Sequence, residues 1–176
     1  MIATDVLNRA SKHTEGETIS FAAASEWINE ALETLGATSE VYNTVTVVAS
    51  EKDTFYSFAG VGHNVIDVIE VKDSGKNNYF DFDVRESKIR FADKDTYSVT
   101  YRRMPAKITA TGDTLEVHEL YKHALGLFVA SRYKSEDNED NPDARRLMQE
   151  FWAEATKIAS ILRRQAKRMT RVKVWL

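Results

Sequence analysis

Val65-Ile66-Asp67-Val68-Ile69-Glu70-Val71 lies near the middle of a 176-residue chain, and its reading decides the fold. β-branched residues make up all of it but Asp67 and Glu70, which is strand composition rather than helical patterning. Five similar runs surround it: Val45-Thr46-Val47-Val48, Phe55-Tyr56-Ser57-Phe58, Tyr79-Phe80-Asp81-Phe82-Asp83-Val84, Lys88-Ile89-Arg90-Phe91 and Tyr97-Ser98-Val99-Thr100-Tyr101. Turn signals separate them at Gly60-Val61-Gly62, Asp73 to Asn78 and Asp93-Lys94-Asp95. The turns leave no room for crossover helices. The expected arrangement is an antiparallel β-meander, folded as a small sandwich or partial barrel over residues 41–104.

Moving outward, the period lengthens to 3.6 on both sides. Residues 2–13 predict a short helix through Val6, Leu7 and Ala10. Ser20 offers an N-cap for a second helix whose apolar face is Phe21, Ala24, Ile28, Leu32 and Leu35, widened by Trp27 and Ala31 and stopped by Gly36. Beyond Pro105, a third helix is expected from Glu116 to Lys134 with Val117, Leu120, Tyr121, Ala124, Leu127 and Phe128 inward. An acidic loop follows, and Pro142 with Asp143 opens a long helix with Leu147, Phe151, Ala155, Ile158, Leu162 and Ala166 on one side. Periodicity then fails at Met169. The fold class is therefore α+β: a small helical bundle (1–40 and 116–168) with the β-rich segment inserted between the second and third helices. Residues 1–168 read as one domain, and 169–176 as an extended C-terminal tail that binds a partner.

Composition narrows the function classes. Apolar residues make up 43% and charged residues 29%, an ordinary globular balance, while seven Gly and two Pro exclude fibrous or low-complexity chains. Zero Cys excludes a disulfide framework, a thiolate nucleophile and cysteine-based metal sites. No apolar run approaches the roughly 20 residues of a membrane span and the N-terminus lacks signal-peptide form, so a soluble intracellular domain is expected. The net charge of −3 conceals an asymmetry: Arg163, Arg164, Lys167, Arg168, Arg171 and Lys173 fall in the last fourteen residues with no acid among them. An acidic body thus ends in a basic tail, which points to a partner.

The candidate chemical constellations are weak. His118 and His123 imitate a helical zinc motif, but they stand five apart, about 140° around a helix, where that motif needs four. His13 and His63 stand alone. Asp81 and Asp83 share one strand face, as paired acids or Mg²⁺ ligands would, yet no base or third ligand accompanies them. Gly60-x-Gly62 lacks the third glycine and following helix of a phosphate loop, and the acidic loop at 136–143 lacks the spacing of a calcium-binding hand. No catalytic, cofactor or metal residues are assigned, and an enzyme is not expected.

The basic tail alternates Arg171-Val172-Lys173-Val174-Trp175-Leu176. Burying Val172, Val174 and Leu176 is worth roughly 4–9 kcal/mol, whereas ordering eight residues costs about 8–16 kcal/mol. Attachment by this tail therefore needs strand addition to a partner sheet, or many tails acting together.

The layout resembles the head–tail connector (adaptor, or head-completion) proteins of tailed bacteriophages. The resembling pieces are Trp27 to Leu35, Tyr101-Arg102-Arg103-Met104-Pro105-Ala106-Lys107-Ile108-Thr109, the helix with His123-Ala124-Leu125 and Val129-Ala130-Ser131-Arg132-Tyr133, and Asn141-Pro142-Asp143-Ala144-Arg145-Arg146 leading to Phe151-Trp152. That resemblance implies a virion protein of the neck, made in the host cytoplasm, that forms a ring, usually of twelve copies, beneath the portal. Its partners would be the portal protein, a tail or stopper protein and itself, with packaged DNA passing through the ring without sequence-specific binding and no membrane involved. No cofactor is implied. The portal-binding candidates are Arg164, Arg168, Arg171, Val172, Lys173, Val174, Trp175 and Leu176. The alternative is a DNA-binding accessory protein using the same basic residues on phosphates, with Trp175 stacking on a base; the acidic body counts against it.

Overall fold

The computed structural model describes residues 1–36, 41–59, 64–136 and 138–172, with side chains described through 164. Among them are four α-helices and six strands in two small antiparallel sheets, so the protein is α+β with its strands inserted between the second and third helices. The chain divides into two compact units, Met1–Thr38 with Lys107–Leu176, and Ser39–Ala106. Each has its own hydrophobic core.

In the helical unit, α1 (Ala3–Ala10) continues as a single 3₁₀ turn over Ser11–His13 and buries Ala3, Val6 and Ala10. Ser20 Oγ accepts from Ala23 N–H at 3.3 Å to start α2 (Phe21–Gly36), whose buried face is Ala24, Ile28, Ala31, Leu32 and Leu35. Where the chain returns from the insertion, Asn29 on α2 pairs with Ile108 as a strand would: Oδ1 accepts the Ile108 N–H at 2.8 Å and Nδ2 donates to its carbonyl at 3.1 Å.

The third helix differs from expectation. Glu119–Tyr121 form a 3₁₀ turn capped by His118, whose Nδ1 accepts from Leu120 N–H at 3.2 Å, and α3 proper is Lys122–Ser135. Leu120, expected inside, is exposed, while every residue from Ala124 to Ser131 is buried. A helix buried all round has no amphipathic face to read. α3 is the bundle's central helix, packed by α1, α2 and α4 (Pro142–Val172). Gly126 permits the α1 approach: a Cβ there would lie 2.7 Å from Arg9 Cγ and 2.9 Å from Arg9 Cβ. Asn141 caps α4 by accepting from Asp143 N–H at 2.9 Å, and Ser131 Oγ donates to the Ala144 carbonyl at 2.7 Å.

α4 buries Leu147, Phe151, Ala155, Ile158 and Leu162 as the pattern required. Its backbone stays helical to Val172, so residues 169–172 of the expected tail are not extended. Losing an apolar stripe does not end a helix when the sequence offers neither Gly nor Pro and is rich in Arg, Lys, Gln and Met. Lys173, Val174, Trp175 and Leu176 lie outside the described residues.

The β unit contains β1 (Tyr42–Ala49), β2 (Phe55–Ser57), β3 (Val65–Lys72), β4 (Phe82–Arg85), β5 (Lys88–Phe91) and β6 (Asp95–Arg103). All pairings are antiparallel, but the order is nested rather than sequential: β1-β6-β3 in one sheet and β2-β5-β4 in the other. Only β4 and β5 form a sequential hairpin. Tyr79 to Asp81, expected within a strand, precede β4; Tyr79 donates its N–H to the Val71 carbonyl at 2.8 Å. The core is aromatic. Phe91 and Tyr97 stack at 3.9 Å, Tyr79 meets Tyr97 at 4.8 Å, and Phe58 lies edge-on to Tyr101 at 5.1 Å. Burial pushes the Tyr97 hydroxyl above the usual tyrosine range, and that group donates to the Asp93 carbonyl at 3.1 Å.

Candidate functional site

The residues singled out from the sequence do not converge. His118 is occupied as a cap, and His123 Nδ1 accepts from Arg9 Nε at 3.1 Å, with the His13 ring 5.6 Å away. Burial and the neighbouring His123 and Arg9 hold His13 below its ordinary 6.5, with Glu150 opposing and Arg146 adding to them. Asp83 is paired with Arg90 across the β4–β5 hairpin, with Asp53 4.0 Å from the same guanidinium. Among the described residues, no three of His, Asp and Glu gather as a metal site would require. No helix among them is long and apolar enough to cross a membrane.

One groove among the described residues lies against α4. It occupies about 480 Å³ between the last turn of α2, at Thr34 and Leu35, and the exposed side of α4 from Trp152 to Arg164. Its depth follows from small side chains: Ala155, Thr156, Ala159 and Ser160 occupy successive turns where larger residues would fill the space. Trp152 forms one wall. It is 51% exposed while its neighbour Phe151, 5.1 Å away edge-on, is fully buried. Arg163 and Arg164 line the other end. Both are exposed, and neither is in an ion pair with the acids that neutralise Arg145 and Arg146 earlier on the helix.

An apolar floor, a half-exposed indole and two guanidinium groups are the elements of a protein-binding hot spot: a large anchor surface with charged groups at its rim. Of the expected portal-binding residues, Arg164 lies in this groove; Arg168, Arg171 and Val172 continue the same helix, where only their backbone is described. Strand alternation therefore does not apply at Arg171 and Val172. Trp152, Thr34 and Leu35 were not expected at a site. The available signal was a second helical stripe, Trp152-Thr156-Ala159-Arg163, beside the core stripe.

A second cleft of the helical unit carries the opposite charge. It occupies about 660 Å³ and is lined by Glu26, Glu30, Glu136 and Glu139, with Arg132 paired to Glu30. Against known proteins, the chain matches no protein-family model and no curated protein.

Proposed function

We propose that this protein is a structural head–tail connector (adaptor) of a tailed phage, forming a ring beneath the portal that extends the DNA channel and joins capsid to tail. In this reading it acts by assembly, not catalysis, in the virion neck, with the portal protein, a tail or stopper protein and its own copies as partners. The observation that carries the reading is the α4 groove, with Trp152 on its wall and Arg163 and Arg164 at its end. It sets Arg163 and Arg164, the first two cations of the basic C-terminal run, beside an apolar anchor, which a protein partner needs and a phosphate backbone does not. The helix–strand–helix layout that resembles the connector family supports it further.

Pull-down with the portal ring of the same phage tests it. Trp152→Ala is expected to weaken portal capture at least tenfold, deletion of residues 169–176 to weaken it comparably, and Arg163→Gln with Arg164→Gln to weaken it less. A protein that ignores the portal overturns the reading. The DNA-binding alternative is favoured by one observation, six cations without an acid from Arg163 onward. It predicts the reverse order, with the Gln pair most damaging and affinity falling steeply with salt.

A further inference from the structure

The two edges of the β1-β6-β3 sheet are built differently. The β3 edge carries Asp67, Glu70 and Lys72 and has two register irregularities, between Val65 and Asp67 and between Val68 and Glu70. Those are the charges and bulges that keep an edge from accepting another strand. The second sheet blunts its edges by length, with β2 only three residues long and β4 four. β1 has none of these devices. Tyr42-Asn43-Thr44-Val45-Thr46-Val47-Val48-Ala49 is eight residues with regular register to β6, no charged side chain, no Pro and no Gly.

Among the described residues β1 pairs with β6 alone, and its other side can be specified. Arg103 N–H donates to the Val41 carbonyl at 3.0 Å, and Val41 continues the register that places Tyr42 opposite Arg102. Antiparallel alternation then directs the amide groups of Asn43, Val45, Val47 and Ala49 toward β6, and those of Tyr42, Thr44, Thr46 and Val48 outward. The same four residues put their side chains on the solvent face, where Tyr42 is 50% and Val48 62% exposed.

We propose that β1 pairs antiparallel with β1 of a second copy about a two-fold axis through Val45, joining two three-stranded sheets into one of six strands. In this register Tyr42 faces the partner's Val48, and Thr44 faces the partner's Thr46. Each facing pair exchanges two main-chain hydrogen bonds. Both exposed apolar side chains of the strand gain an aromatic–aliphatic cross-strand contact, twice by symmetry. With no charge on β1, no like charges are brought together. The pairing does not depend on the connector reading.

Sedimentation velocity on the full chain over a range of concentrations tests it. A concentration-dependent dimer is expected. Thr46→Pro removes an outward N–H without touching the β6 ladder, and Val48→Lys adds the missing edge charge; each should raise the dissociation constant at least tenfold. Ile69→Lys, on the protected β3 edge, should leave it unchanged. A monomer up to millimolar concentration, or a dimer indifferent to both β1 substitutions, overturns the proposal. Because the chain has no cysteine, Val45→Cys gives a single thiol placed to meet its own copy across the axis. It should cross-link under mild oxidation several times faster than Thr46→Cys. The reverse order overturns the register.

Discussion

The helical unit and the β unit fill their cores by different means. The helical core mixes small residues, Ala3 and Ala10 on α1, Ala24 and Ala31 on α2, Ala124 and Ala130 on α3 and Gly126 where Arg9 crosses, with large ones that include the Phe128–Phe151 ring pair at 5.0 Å. The β unit instead spans the space with rings, Phe58, Phe91, Tyr97 and Tyr101, each touching at least one other. Helix axes can approach closely only if something small lies between them, whereas sheets stand about 10 Å apart and need large side chains to bridge the gap. Both cores depend on their large side chains, and the contrast teaches where added volume is least tolerated: in the helical unit, where Gly126 meets Arg9.

The largest expected effect separates the two cores. Phe151→Ala should destabilise the helical unit and Phe91→Ala the β unit, each by about 3–5 kcal/mol. Calorimetry should show each substitution lowering one transition while sparing the other; one shared transition, lowered equally by both, breaks the division. Added volume should follow at about 1–3 kcal/mol. Gly126→Val drives a side chain against Arg9 Cβ and should lower the helical transition alone. A variant as stable as the parent in urea titration would show that α1 can move away freely.

Smaller still is Ser131→Ala. It removes the buried 2.7 Å bond to the Ala144 carbonyl and should cost about 1 kcal/mol, again read in urea. The finest distinction is in pH. His13, in the helical unit, has its affinity for a proton depressed by burial and by His123 and Arg9, against the pull of Glu150, with Arg146 nearby. Below 6.5 the unfolded chain therefore binds a proton that the folded one resists, and stability falls as pH drops from 6.5 toward the depressed value. Melting of the helical transition between pH 7.5 and 5 should show this loss, and His13→Gln should flatten it. An unchanged slope in that variant would assign the loss to other groups.

How much of this was legible depended on whether a residue's partner left a mark in its own segment. α2 was, because its stripe from Ala24 to Leu35 has solvent on the other side to contrast with. The β1-to-β6 alternation was legible for the same reason. α3 was legible as a helix with Tyr121, Ala124, Leu127 and Phe128 inside, but not its burial all round, since eight consecutive buried residues have no contrast to show. Nor was the nested pairing of β1 with β6, because strand order is a relation between segments and each strand looks alike alone. The groove fell between these cases. Arg164 is marked by its charge, but Trp152 stands beside the core residue Phe151, and only its place in a groove lined also by Thr34 and Leu35 of α2 makes it a wall.

The β1–β6 ladder also bears on how quickly the bundle assembles. α1 and α2 must find α3 across the whole of Ser39–Ala106, and closing so long a loop slows folding of a bundle that is otherwise local. Once Tyr42 is zipped to Arg102, the two strands of the tether lie side by side, and the loop left to close is roughly ten residues in place of about seventy. By chain-entropy scaling that removes roughly 2 kcal/mol from the closure cost. A segment that looks like an interruption of the bundle thus lowers the cost of joining it: with the ladder formed, two halves distant along the chain become neighbours.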